Sequence, residues 1–174
     1  MYLITAYFDD ITTKQLQRII DEIAKVTGNT FMVDNEVVPH MTISAFDAKS
    51  EEVAISLFDK MKEKLSFEDV LIPTAGVFLP YVIYAQAVQD QYLCNLSSNI
   101  YHILTEVEGI RVNRYYLPYG WIPHITLGKK LDKDQMQLAF QVVQEKFQPI
   151  KAHINTFGIS KPNPLRNLDY FTYA

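Results

Sequence analysis

Residues 37–44 read Val-Val-Pro-His-Met-Thr-Ile-Ser, and residues 121–128 read Trp-Ile-Pro-His-Ile-Thr-Leu-Gly. Both follow one formula: two apolar residues, proline, histidine, apolar, threonine, apolar, small. The histidines stand at positions 40 and 124, 84 residues apart in a chain of 174. A Pro-His-x-Thr string arises by chance at a given position on the order of once in 10⁴ or less. Two copies in matching flanks at half-chain spacing therefore predict a duplicated plan, since a solenoid needs three or more units. In a strand, alternate side chains share a face. His40, Thr42 and Ser44 are thus expected on one face, with Met41, Ile43 and Ala45 on the other. His124 and Thr126 should likewise project together, away from Ile125 and Leu127.

Outward from the motifs, strand and helix patterns alternate twice. Tyr2 to Phe8 reads as a strand. Thr12 with Gln15 has the spacing of a capping box, flanked by an Ile11–Leu16 staple. Leu16, Ile19, Ile20 and Ile23 recur at helical spacing, and Gly28 closes that helix. Ser50 caps a second helix with the stripe Val53, Leu57, Phe58 and Met61, and a strand follows near 70–72. In the second half, 81–88 reads as a strand. Asp90 caps a helix with the stripe Leu93, Leu96, Ile100, Ile103, Leu104 and Val107, and Gly109 follows it. A strand ends in the second motif. Asp132 with Gln135 caps a last helix (Met136, Ala139, Phe140, Val143, Phe147), and strands near 149–157 and 168–173 finish the chain. The expected fold is α+β: one two-lobed, pseudo-symmetric domain over 1–174, with antiparallel sheets around a central cleft and helices outside. Lobe one takes about 1–73 and lobe two about 74–174, with strand exchange between them left open. The crossing is expected within Pro73 to Pro80.

Composition sets the outer limits. Hydrophobic residues make up 48% and charged residues 21%, which suits a globular core and excludes disorder or coiled coil as the main architecture. Lys+Arg is 16 against 20 Asp+Glu, a net charge of −4. That balance disfavours capture of duplex DNA, whose affinity comes from neutralised phosphates. The single cysteine, Cys94, allows no internal disulfide and no cysteine-based metal cluster. It points to a reducing, cytoplasmic compartment. No apolar run reaches the ~18 residues of a membrane span, and the N-terminus reads as a first strand rather than a leader.

Two histidines from two halves of a chain suit in-line displacement at a phosphodiester. One neutral imidazole takes a proton from the attacking oxygen; the other, as imidazolium, gives one to the leaving oxygen. Thr42 and Thr126 can donate to the non-bridging oxygens, where charge must be held. Neither motif contains an Asp or Glu that would complete a zinc site, which wants at least three protein ligands. The scheme needs no metal and no cofactor.

The paired His-x-Thr motifs resemble those of the 2H phosphoesterase superfamily, which includes 2′,5′ RNA ligase/cyclic phosphodiesterase proteins. The resemblance covers nearly the whole chain in layout and rests on the two motifs. It implies that His40 and His124 are the catalytic pair and that Thr42 and Thr126 bind phosphate. It also implies a small substrate, a nucleotide or RNA end carrying a 2′,3′-cyclic phosphate or a 2′,5′ linkage. Two other readings stay open: a non-catalytic module binding the same ligand, and 2′,5′ end joining in the reverse direction.

Around the motifs, Ser44 and Lys129 are further candidates for substrate contact. Lys129 and Lys130, with Arg111 and Arg114, make a basic neighbourhood able to steer phosphate. Lysine there brings charge without the guanidinium fork. Among Tyr115, Tyr116, Tyr119 and Trp121, Tyr119 is the stacking candidate, and Trp121 is expected in the core. His102 and His153 read as surface residues.

Overall fold

The structure is a computed structural model, and it describes residues 1–162 and 165–173. Its elements run β1 (Tyr2–Phe8), α1 (Asp10–Thr27), α2 (Phe31–Asp34), β2 (His40–Asp47), α3 (Glu51–Met61), β3 (Asp69–Ile72) and β4 (Thr74–Phe78). They continue with β5 (Val82–Gln86), α4 (Gln91–Thr105), β6 (Arg111–Val112), β7 (His124–Gly128), α5 (Lys133–Lys146), β8 (Ile150–Lys161) and β9 (Arg166–Thr172).

Capping chemistry places the helices. Asp132 and Gln135 form the expected reciprocal box. Asp90 accepts from Leu93 N at 2.9 Å, and Ser50 accepts from Val53 N. Gly28 ends α1 at φ 70°, the left-handed conformation that glycine adopts without penalty. At the start of α1 the expectation is corrected. The cap is Asp9, which accepts from Thr12 N at 2.7 Å, so Thr12 already lies in the first turn. Ile11 is 72% exposed and makes no staple. Phe140 is likewise outside the core: Ala139, Val142 and Val143 carry the buried face of α5.

The strands form one mixed-length sheet in the order β3-β8-β1-β2-β7-β5-β4, with every pairing antiparallel. β6 pairs with β2, and β9 with β8. The two sequence halves therefore meet at β2–β7, while β8 crosses back to flank β1 and carries β9 with it. The helices also cross over: α1 packs on α5 and β7, and α4 packs on α3 and β2. Their apolar stripes and one face of the sheet share a continuous core that includes Ile4, Leu16, Ile20, Ile43, Phe58, Leu93 and Phe157.

Residues 74–78, expected within the crossing, are strand β4. Pro73 alone separates β3 from β4, yet these strands stand at opposite ends of the order. The sheet must curl for one short run of chain to supply both rims, and it does so as a half-barrel. Val88 N, just beyond β5, donates to Leu71 O of β3 at 2.8 Å and closes the same gap. Among the described residues, no helix is long and apolar enough to cross a membrane.

Candidate active site

The two motif strands lie side by side. Met41 of β2 is the partner of Ile125 of β7. Antiparallel pairing about that couple sets Thr42 across from His124 and His40 across from Thr126. Each histidine thus neighbours the other motif's threonine around a local two-fold. His40 and His124 occupy diagonal positions, which in a sheet lie about 7–8 Å apart. Both rise from the one curled sheet, on neighbouring strands.

A bulge follows the threonine of each motif. On the β1 side, Thr5 pairs with Thr42 but Ile4 pairs with Ser44, leaving Ile43 unmatched. On the β5 side, Tyr84 pairs with Thr126 but Ile83 pairs with Gly128, leaving Leu127 unmatched. The extra residue turns the small one that follows into the core. Ser44 lies beside Ile4, 3% exposed, with its hydroxyl buried and unpartnered. A Cβ on Gly128 would stand 3.1 Å from both Ile83 Cγ2 and Leu131 Cδ1. Ser44 is therefore not on the face shared by His40 and Thr42. Ala45, paired with Leu3, takes the cleft side instead.

Both imidazoles are pinned in the same way. His40 Nδ1 lies 2.7 Å from Val38 O, and His124 Nδ1 lies 2.8 Å from Ile122 O. A carbonyl only accepts, so Nδ1 carries the hydrogen in each ring and Nε2 keeps its lone pair for the cleft. Burial holds the His40 pKa below its ordinary value, the Val38 bond opposes that, and the charges of His124 and Lys129 lower it further. Burial likewise depresses His124, against its bond to Ile122.

Two chambers open beside the pair. One, of about 610 Å³, is lined by His124, Ala45, Phe78, Tyr115, Tyr116 and Trp121. The other, of about 400 Å³, is lined by His40, Thr126, Phe31, Asn35, Lys129 and Lys130. Leu3 borders both. One side of the histidine pair is thus aromatic and the other cationic. Thr42 is 8% exposed, on the floor between Thr5 and His124, and its carbonyl accepts from the Trp121 indole at 3.1 Å. That bond confirms Trp121 as a core residue, one that fastens the second motif to the first.

Tyr119 is 81% exposed at φ 65° and lines neither chamber; the tyrosines that line the chamber beside His124 are Tyr115 and Tyr116. The strand expected to end in the second motif is β7 alone; before it come the short β6, a 3₁₀ turn at Arg114–Tyr116 and a loop. Arg114 is spent on Tyr115, donating to its hydroxyl at 2.8 Å. His153 donates to Asp69 across the β3–β8 pair at 2.7 Å, and His102 is exposed on α4. Cys94 lies at the border of the core. Sequence reasoning missed Tyr7, Tyr84, Phe78 and Gln86, which flank the histidines from β1, β5 and β4. Tyr7, Tyr84 and Gln86 fall in expected strands and Phe78 in the expected crossing, but only the register brings them to the site. Among the described residues, no group of three or more His, Cys, Asp or Glu side chains is placed to hold a metal ion.

No family model matches this chain, and no curated protein matches it in sequence. Solved structures do match in fold. The structure of E. coli LigT complexed with 3′-AMP superposes with a TM-score of 0.61 at 14% identity, over 98% of this chain and 96% of that one. A second, described as a phosphoesterase, gives 0.59 at 15% identity over the same shares. The curled antiparallel sheet with crossed helices is thus the LigT-like fold.

Proposed function

We propose that this chain is a metal-independent phosphoesterase that opens a cyclic phosphate or cleaves a 2′,5′-phosphodiester on a nucleotide or RNA end. The observation that carries the reading is the pairing of two Pro-His-x-Thr strands. It presents two imidazoles, each with Nδ1 committed to the backbone, to the space above one floor. The similarity to LigT, whose structure holds 3′-AMP, and to a phosphoesterase supports the same chemistry.

In the forward direction, a water attacks phosphorus in line with the leaving ribose oxygen. One Nε2 takes the water's proton, the phosphorus–oxygen bond to the ribose breaks, and the other imidazolium returns a proton to that oxygen. His40 is assigned the base role, because burial and the charges of His124 and Lys129 keep it neutral with its lone pair free. His124 then serves as the acid. Thr126 and Thr42 donate to the non-bridging oxygens, and Lys129 offsets the charge that remains. The aromatic chamber beside His124 suits a nucleobase, which places the leaving ribose oxygen on the acid's side.

The test is hydrolysis of 2′,3′-cyclic nucleotides and of 2′,5′-linked dinucleotides in EDTA. Turnover is expected with a bell-shaped pH profile, and His40→Ala or His124→Ala should each lower it by about 10²–10⁴-fold. Tight binding without product would make the chain a binding module. A 2′,5′ joint formed from cleaved RNA halves would mark the reverse reaction. Strict dependence on a divalent ion would move the chemistry to a metal.

A further inference from the structure

Each histidine leans on a tyrosine that has a glycine behind it. The Tyr7 ring lies 5.9 Å from the His40 ring. Behind it, a Cβ on Gly158 would come within 3.0 Å of Tyr7 Cε2. The Tyr84 ring meets His124 edge-on at 5.4 Å, and Phe78, stacked on Tyr84 at 4.2 Å, meets it edge-on at 4.8 Å. A Cβ on Gly76 would come within 2.6 Å of the Tyr84 hydroxyl. The two glycines hold equivalent places, Gly158 opposite Thr5 and Gly76 opposite Tyr84, on the strands flanking β1 and β5. The tyrosines do not: Tyr7 pairs with His40 itself, whereas Tyr84 pairs with Thr126 and reaches His124 diagonally. The same contact is therefore built twice by different registers. Tyr7 also turns its hydroxyl outward, donating to Asn167 Oδ1 at 3.2 Å, so its ring and not its phenol serves the histidine.

We propose that Tyr7 and Tyr84 are positioning residues, aromatic walls seated over Gly158 and Gly76 that fix the ring planes of His40 and His124 and keep water from them. Their importance for turnover rests on the phosphoesterase reading; the contact itself does not. Edge-on and tilted aromatic contacts favour one ring orientation, and a reacting nitrogen displaced by about 1 Å can cost on the order of 10²-fold in rate. The charged and titratable groups facing His40 are His124, Lys129 and Tyr7, with Tyr170 behind Tyr7. Those facing His124 are His40 and Tyr84.

The experiment is an NMR titration of the imidazole Cε1–H signals in the full chain, which needs no substrate. Tyr7→Leu keeps apolar bulk but removes the ring, and should raise the His40 midpoint toward the ordinary imidazole value while leaving His124 in place. Tyr84→Leu should do the reverse. Tyr7→Phe and Tyr84→Phe should titrate as the wild type. Where a leucine variant fails to fold, Gly158→Ala or Gly76→Ala presses on the same ring from behind and should disturb only its own histidine. Folded leucine variants with unchanged midpoints, or shifts of equal size in both histidines, overturn the proposal. If the chain turns over cyclic nucleotides, each leucine variant should lower kcat about 10–100-fold with KM unchanged, and each phenylalanine variant should restore it. A chain that fails that assay yet shows the paired titration shifts would lose the phosphoesterase reading and keep the walls.

Discussion

The proline before each histidine decides how the imidazole is held. Proline has no N–H to give the sheet, and it biases the residue before it toward extended backbone. From that backbone the Val38 and Ile122 carbonyls accept the Nδ1 hydrogen two residues on. Both rings are half-buried in this state, with folded-state pKa values below the ordinary 6.5. Between those values and 6.5 the unfolded chain binds protons that the folded chain refuses. The contribution to stability is whole above about 6.5 and drains as pH falls through the window beneath it. Thermal melts from pH 7.5 to 5 should therefore fall less steeply in a His40→Gln/His124→Gln double variant than in the wild type. Parallel curves would show that neither ring is held neutral.

At the scale of the strand, the bulges after Thr42 and Thr126 explain why each motif ends in a small residue. Ser44 places an unpartnered hydroxyl in the core, so Ser44→Ala should stabilise the fold by about 1 kcal/mol. Gly128 has no room for a methyl group, so Gly128→Ala should destabilise it by about 1–3 kcal/mol. Urea melts of the two variants read both signs, and a destabilised Ser44→Ala would mean its hydroxyl has a partner. The motifs and most helix boundaries were legible, because Ser50, Asp90, Asp132 and Gly28 signal locally. Asp9 was not, since Asp9, Asp10, Thr12 and Thr13 all have capping chemistry and only the path out of β1 selects among them. β4 escaped notice because Gly76 interrupts a short run. A bulge belongs to two strands at once, so a single strand's alternation put Ser44 on the wrong face. The tyrosine walls were hidden for the same reason: Tyr7 and Tyr84 reach the histidines only through pairing register.

For the whole molecule, the decisive span is 69–78. One short run of chain, bent at Pro73, supplies both outer strands, while the middle of the sheet is joined at Met41–Ile125 and by Trp121 to Thr42. On the phosphoesterase reading proposed above, a flexible Gly-Ser insertion between Ile72 and Pro73 should leave a folded protein with slower turnover of cyclic nucleotides. Full activity in that variant would show that the rims need no direct junction. The covalent path through Pro73 makes the sheet a circuit instead of a fan. A fluctuation that parts the two outer strands must strain the chain at Pro73, and the spacing of His40 and His124 shares in the stiffness of that tie.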